Sequence, residues 1–201
     1  MIYDLKNEVD FLAYKYLEGQ DDKVLFNYLH DLDAKVRTIA GKVIQLRGSD
    51  ELFEKVIGLK NTKTYYLREI CAFILGQFKT TRQDFLAQIP VVLLELSKDN
   101  SISVKTTAMY ALGHFYGYHP MSLSLSEIDK QVKDTLLSYS THHLSSVRVS
   151  CAFALSGLPD EKVVRDTLNQ LLDDECSEVS EWAEVSLEIL DDRLTKQSID
   201  E

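Results

Sequence analysis

The sequence is poor in the residues that interrupt or cross-link a fold. Its 201 residues include only 8 glycines, 3 prolines and 3 cysteines. So few helix breakers favour a mostly helical chain with short connections. The cysteines are odd in number and widely spaced, without a CxxC pair, which argues against a disulfide framework. No run of 18 apolar residues occurs, and the charged N-terminal stretch is unlike a signal peptide. We therefore expect one cytoplasmic domain, residues 1–201, with no membrane segment.

The motifs of common catalytic sites are also missing. The sequence contains no Walker A loop, no GxSxG and no HExxH. The neighbouring His142 and His143 would point about 100° apart on a helix and could not easily share a metal. We expect no enzymatic activity, no metal and no cofactor.

One twelve-residue pattern occurs five times, at intervals of 31 to 43 residues. In most copies its first, fifth, eighth and ninth positions are apolar, which is the spacing of one stripe on an α-helix. A repeat of this length indicates a solenoid, in which each unit buries its apolar face against its neighbours. The fifth position holds only alanine or cysteine, so Cys71 and Cys151 are predicted to be packing residues. The five copies begin at Val36, Leu67, Val104, Val147 and Val179.

A second amphipathic segment precedes each copy. Asp50, Ser126 and Asp160 are predicted to cap three of these segments, because their side chains can accept from the free amides of a first turn. A further helix over about residues 4–17 would close the N-terminal end. The pattern predicts an all-α, right-handed α-solenoid of about five helix pairs plus an N-terminal capping helix. The predicted repeats span about residues 22–48, 50–79, 82–117, 126–158 and 160–192.

The repeated phrase resembles the HEAT-like repeat of the phycocyanobilin lyase type. Its second helix starts with an aspartate shortly before Val-Arg and continues with small residues and Leu-Gly. The matching residues include Asp33, Val36, Arg37, Arg68, Cys71, Leu75, Gly76, Asp99, Val104, Lys105, Leu112, Gly113, Val147, Arg148 and Leu155. The resemblance implies that the basic column pairs with acidic groups at the repeat junctions. The family that the phrase resembles includes enzymes, among them bilin lyases and DNA glycosylases. The glycosylases use tryptophan against the damaged nucleotide, but the single Trp182 of this chain lies in an acidic segment that would repel DNA.

Acidic residues are concentrated at the C-terminal end. The formal net charge is −10, and residues 160–201 carry 14 acids against 4 bases, whereas the rest of the chain is balanced. Two interpretations stay open: a solvated end cap that keeps the solenoid soluble, or an anionic surface that attracts a basic partner. The second interpretation selects Glu181, Glu188 and Asp192 as partner-binding residues and argues against direct nucleic-acid binding.

The seventh position of the phrase holds aromatics in the three central copies, namely Phe73, Tyr110 and Phe153. The resemblance places this face on the concave side of the solenoid, with Glu69 beside it. Aromatic rings ringed by polar groups are typical of interface hot spots. The alternative is that curvature buries the rings between neighbouring repeats.

An insertion between the third and fourth copies, residues 113–126, is predicted to form a loop. Insertions in repeat proteins often lie on the binding side. This selects His114, Tyr116, Tyr118 and His119 as further partner contacts. A surface loop held by its own aromatics is the alternative.

Together these observations predict a protein-binding solenoid, monomeric when free, with a basic protein partner. The more specific hypothesis is an immunity or inhibitor protein that neutralises a basic nuclease or toxin domain. The alternatives are a bilin lyase-like enzyme or accessory factor and a scaffold of a regulatory complex.

Overall fold

The computed structural model describes residues 8–119, 121 and 126–197, and this part of the chain is all-helical. A short 3₁₀ turn, Leu59–Asn61, follows the fourth helix. The prediction of an all-α solenoid built from helix pairs is confirmed. In chain order the helices of the described part are α1 Glu8–Glu18, α2 Asp22–Tyr28, α3 Ala34–Arg47, α4 Asp50–Gly58, α5 Tyr65–Leu75, α6 Gln83–Leu96, α7 Ile102–Tyr118, α8 Glu127–Tyr139, α9 Ser145–Leu155, α10 Lys162–Leu171 and α11 Ser177–Gln197.

The helix starts agree with the predicted caps in one case out of three. Ser126 begins α8 with a reciprocal capping box, because Asp129 returns a hydrogen bond to the Ser126 backbone. Asp50 is not a cap, since the hydroxyl of Ser49, one residue earlier, accepts from the amide of Leu52. Asp160 is not a cap either, because its carboxylate accepts from the Arg165 guanidinium instead.

The helices form two layers. In one layer α3, α5, α7, α9 and α11 each pack extensively on the next, whereas α2, α4, α6, α8 and α10 cover their outer side. Helices on the inside of a curve approach one another more closely than those on the outside. The layer from α3 to α11 is therefore the concave side, and α1 closes its N-terminal end by packing on α3.

The repeated apolar columns form the core between the two layers. Side chains at the fifth position of every copy have no exposed surface, and this includes both cysteines. The Cys151 Sγ donates to the backbone carbonyl of Leu136 at 3.0 Å. Burial raises the pKa of Cys71 to about 12, so its thiol stays protonated at neutral pH. The predicted packing role of these residues is confirmed.

Arginines at the second position of the phrase tie successive repeats together. The Arg68 guanidinium donates to both carboxylate oxygens of Asp99, at 2.6 and 3.0 Å. Arg148 holds Asp174 in the same way, at 2.6 and 2.7 Å, with both side chains 9% exposed. Two parallel bonds between planar groups also fix orientation, so each pair sets the register of neighbouring repeats.

The other two members of the basic column meet an aromatic ring instead of an aspartate. Arg37 lies 4.5 Å from the centre of the Tyr66 ring, and Lys105 lies 4.9 Å from that of Tyr139. All four cations of the column therefore lie at repeat junctions. The expected pairing with acidic groups is confirmed for Arg68 and Arg148 and is wrong for Arg37 and Lys105, which meet aromatic rings.

Two glycines one turn apart on α7 allow a matched test of inner-layer packing. A Cβ at Gly113 would lie 2.9 Å from the Cα of Ala154 on α9, whereas a Cβ at Gly117 would meet nothing within 4 Å. We expect Gly113→Ala to lower the free energy of unfolding by about 1–3 kcal/mol through overpacking. Gly117→Ala should raise it by about 0.5–1 kcal/mol, because alanine favours the helix. Urea unfolding followed by circular dichroism measures both, and equal effects would contradict the close approach.

The junction pairs predict how stability depends on pH. The paired Arg148 and Arg68 hold the pKa values of Asp174 and Asp99 below their usual range. Their contribution to stability is therefore complete above about pH 4, the unfolded-state value, and is lost as pH falls through the lower folded-state values. At pH 7 we expect Asp174→Asn to lower the free energy of unfolding by about 2–3 kcal/mol. The variant should also lose less stability than the parent chain as the pH falls below about 4.

The matched control is Asp166→Asn, which removes the partner of the exposed Lys162 one turn away on α10. Exposed pairs of this kind contribute less than about 0.5 kcal/mol. Equal losses in the two variants, measured by urea unfolding from pH 3 to pH 7, would show that the Arg148–Asp174 pair does not tie the repeats.

Candidate functional site

A groove of about 610 Å³ crosses the concave side over α3, α5 and α7. Its lining comes from positions three or four residues apart on each helix, which form one face. We call it the concave groove. The polar and aromatic side chains that line it include Arg37, Thr38, Lys42 and Gln45 from α3, Tyr66, Glu69 and Phe73 from α5, and Thr106, Tyr110, His114 and Tyr118 from α7.

Aromatic rings lie over glycines of the preceding helix. A Cβ at Gly41 would be 3.3 Å from the Phe73 ring, and one at Gly113 would be 2.8 Å from the Phe153 ring. The side-chain amide of Gln45 also donates to the backbone carbonyl of Phe73 at 2.6 Å, which fixes α5 against α3. One side of each of these two rings packs on a glycine of the neighbouring inner helix, and the other side is partly exposed.

Three rings from three successive helices form a cluster that we call the aromatic corner: Tyr110 on α7, Phe153 on α9 and Trp182 on α11. The centroids of Tyr110 and Phe153 are 5.2 Å apart at an interplanar angle of 48°. Those of Phe153 and Trp182 are 5.3 Å apart at 90°. The His114 ring lies 4.9 Å from Phe153. All four side chains are half-buried, so the seventh-position aromatics are neither free in solvent nor sealed inside the core.

Acidic side chains on α11 border the aromatic corner. Glu178 is exposed and lies four residues before Trp182, one turn away on the same side of the helix. Burial raises the pKa of Tyr110, and the negative charge of Glu178 raises it further, which places that carboxylate within electrostatic reach of the ring. Glu181, also exposed, is on the adjoining side of α11.

Two other predicted acids lie further along α11. Glu188 and Asp192 are exposed, and helical geometry puts both within about 80° of Glu178 around the axis. The predicted acids therefore continue one side of α11 beyond the aromatic corner. Glu69, the remaining predicted acid, lines the concave groove on α5.

The predicted loop at residues 113–126 is largely wrong. Helix α7 continues to Tyr118, so His114, Tyr116 and Tyr118 are helical. Tyr116 is buried, and its hydroxyl donates to Asp129 of α8 at 2.8 Å. Tyr116 therefore packs between α7 and α8 and cannot contact a partner. Its helical position explains the error, because two residues past His114 a side chain points to the opposite side of the helix.

The rest of the predicted insertion is divided between the groove and its edge. Tyr118 is 68% exposed and lines the concave groove. His119 follows the last turn of α7 and is exposed, with its ring 5.0 Å from Phe115. Positions 120 and 122–125 of the insertion lie outside the described residues.

The sequence prediction missed two residues of the site. Trp182 occupies the fourth position of the fifth phrase, where Ile39 and Ile70 stand in earlier copies, and Glu178 precedes that phrase by one residue. The signal was available, because the only tryptophan of the chain lies next to the column of aromatics.

The described part of the concave side offers aromatic and polar side chains. Among the described residues, no group of three or more His, Cys, Asp or Glu side chains is arranged to hold a metal ion. None of the helices described is both long enough and apolar enough to cross a bilayer. Half-buried rings with a rim of polar groups are suited to contact with another molecule.

Comparison with known proteins shows similarity to the YibA protein of two Escherichia coli strains, K12 and O157:H7. No family model matches the chain. This chain is 28% identical to Protein YibA of Escherichia coli K12 over 184 residues. The aligned segment covers 92% of this chain and 63% of YibA. The chain thus spans less than two thirds of that relative. The X-ray structure of E. coli YibA superposes with a TM-score of 0.57 at 22% identity, covering 92% of this chain and 76% of that one.

Other solved structures confirm the helical-repeat fold. The complex of CpcE and CpcF of phycocyanin lyase from Nostoc sp. PCC7120 matches with a TM-score of 0.64 at 18% identity, over 88% of this chain and 99% of that chain. A designed armadillo repeat protein in complex with the peptide (KR)4 matches with a TM-score of 0.53 at 13% identity, over 91% of this chain and 92% of that chain. The predicted resemblance to HEAT-like repeats is confirmed at the level of the fold.

The contact between α7 and α11 can be tested through the titration of Tyr110. Since the charge of Glu178 raises the pKa of the Tyr110 phenol, we expect Glu178→Gln to lower that pKa while leaving it above its usual value because of burial. NMR of ring-labelled tyrosine, assigned with Tyr110→Phe, measures it. Glu184→Gln is the control, because this exposed residue lies about 120° around α11 from Glu178. An unchanged Tyr110 pKa in Glu178→Gln would contradict the electrostatic contact between α11 and the concave groove.

Proposed function

We propose that this chain is a non-catalytic solenoid that binds a polypeptide partner on its concave side. The observation that carries the proposal is the half-buried row of rings, Phe73, Tyr110 and Phe153, along the inner layer. Large aromatic side chains that are fixed before binding cost little entropy when a partner covers them. Glu69 and Thr106 beside them supply the polar rim.

The dimensions of the concave side favour a polypeptide. Five inner helices at axial separations of 8–10 Å span roughly 35–40 Å. An extended segment of about 11 residues has this length. Two of the similar structures are consistent with such a role, since one is a complex of CpcE with CpcF and another holds the peptide (KR)4.

The charge distribution favours a basic partner. The acids of α11 lie at one end of the row of rings, where they would attract Lys and Arg from a distance and speed association. The specific form that we propose is an inhibitor or immunity protein that occludes a basic nuclease or toxin domain. Anionic side chains can compete there for a site built to hold phosphates.

A second candidate function rests on the volume of the concave groove. About 610 Å³ is within the range of small-molecule sites. Tetrapyrrole binding would make the chain a lyase-like accessory factor. An absorbance titration with a bilin separates the two candidates: a saturable spectral change abolished by Phe73→Ala would favour the second over the first.

The polypeptide proposal predicts a kinetic division of roles. Peptides selected from a displayed library on the immobilised chain should bind with slower association once Glu178, Glu181 and Glu188 are changed to Gln, because steering is lost. Tyr110→Ala should instead speed dissociation, because an anchor is lost. Stopped-flow mixing at several salt concentrations measures both rate constants.

The control for these kinetics is Val91→Ser, an exposed apolar residue on the outer helix α6. Unchanged binding in Tyr110→Ala, or equal weakening in Val91→Ser, would remove the concave side from the interface. The inhibitor form further predicts that a gene for a basic nuclease or toxin domain adjoins that of this chain. Co-expression should restore the growth that the toxin abolishes, and a neighbourhood without such a gene would contradict this form.

A further inference from the structure

We infer that the aromatic corner is a recognition site for an alkylammonium group, the head of a lysine side chain on the partner. This inference rests on the proposed function and deepens it, because it names the group that the concave side recognises.

The first argument is the arrangement of the rings. Tyr110, Phe153 and Trp182 come from three helices, and their planes differ by 48° and 90° at centroid separations of 5.2 and 5.3 Å. Rings inclined in this way present faces and edges from different directions, unlike a flat stack. A cation beside Phe153 can therefore approach within about 6 Å of more than one ring, the distance at which cation–π attraction acts.

The second argument is the charge around the corner. Glu178 and Glu181 are both exposed on α11, one turn or less from Trp182 in sequence, and the charge of Glu178 acts on Tyr110, so a cation placed on the rings is attracted to these carboxylates. An anion would be repelled there, and an apolar side chain would gain nothing from the two acids. His114 does not oppose the cation, because burial lowers its pKa and keeps the ring neutral at pH 7.

The third argument is how the chain uses its own cations. Arg37 stacks on Tyr66, Arg82 on Phe85 and Lys105 on Tyr139. The described part of the chain thus uses cation–π contacts at two repeat junctions and at the start of α6. The aromatic corner groups three rings beside two carboxylates, and a cation supplied by a partner would complete the same interaction.

The experiment uses Trp182, the only tryptophan of the chain, as its reporter. The full chain is titrated with three short amidated peptides that differ at one central residue: lysine, trimethyl-lysine or norleucine. The indole N–H signal of Trp182 in NMR spectra follows binding, which remains measurable at millimolar affinity. Norleucine has the length of the lysine stem without the charge, so it isolates the contribution of the cation.

We expect lysine and trimethyl-lysine to shift the Trp182 signal saturably and norleucine to bind about tenfold more weakly. Tighter binding of trimethyl-lysine than of lysine would show that the rings dominate. The reverse order would show that the carboxylates dominate. Equal affinity for norleucine and lysine would overturn the inference, as would the absence of a saturable shift with either charged peptide.

Two variants test the two halves of the site. Glu178→Gln should weaken lysine binding severalfold, whereas the control Glu184→Gln should not. Phe153→Leu should weaken trimethyl-lysine binding about tenfold. Because Phe153 packs over Gly113, thermal unfolding of that variant shows whether the fold is retained. If it is not, Tyr110→Leu replaces it, and unchanged affinity in the folded variant overturns the inference.

The outcomes separate this inference from the proposed function. Library-selected peptides that need Phe73 and Tyr110 but bind equally well with norleucine in place of lysine would leave the proposed function standing and overturn the inference. Selective binding of the short ammonium peptides that Phe73→Ala leaves unchanged, with no peptide recovered from the displayed library, would support the inference and contradict the proposed polypeptide interface along the concave side.

Discussion

The close approach of the inner helices is the constraint on which the rest of this structure depends. A Cβ added at Gly76 would lie 2.8 Å from the Cα of Ala111, and one at Gly113 would lie 2.9 Å from that of Ala154. Such contacts exist only because small residues stand where neighbouring helices meet. Since the outer helices pack less extensively on one another, the solenoid curves towards its inner layer, and that curvature creates the concave groove.

The same constraint determines the character of the candidate site. Where a glycine lets two backbones approach, a ring on the next inner helix can lie across it, as Phe153 does over Gly113. The ring is then fixed before any partner arrives, with one side partly open. Fixed rings lose little entropy on binding. Packing requirements and the proposed binding function are thus served by the same residues, and a substitution that disturbs one is expected to disturb the other.

The fifth repeat differs because nothing in the described part of the chain packs on its far side. Where earlier copies carry small or basic residues, it carries Ser180 and Glu184, and its helix α11 has acids on most of its surface. Because the far side of α11 is not covered by another described helix, acidic side chains there stay solvated. It still packs on α9, through the Trp182 ring on Phe153 and through the Ser186 hydroxyl, which donates to the carbonyl of Ala152. It also packs on α10 of its own repeat.

The sequence by itself determined the helix pairs and the buried columns, because these follow from periodicity along one helix. The resemblance placed Phe73, Tyr110 and Phe153 on the concave side, where they are half-buried, and their contact with a partner stays a prediction. Only the tertiary structure decided which side chains from different helices meet. The extension of α7 to Tyr118 buried Tyr116 against α8 and left Tyr118 exposed at the groove, and the packing of α11 on α9 brought Trp182 onto Phe153. Such meetings depend on interhelical distances that no single-helix pattern contains.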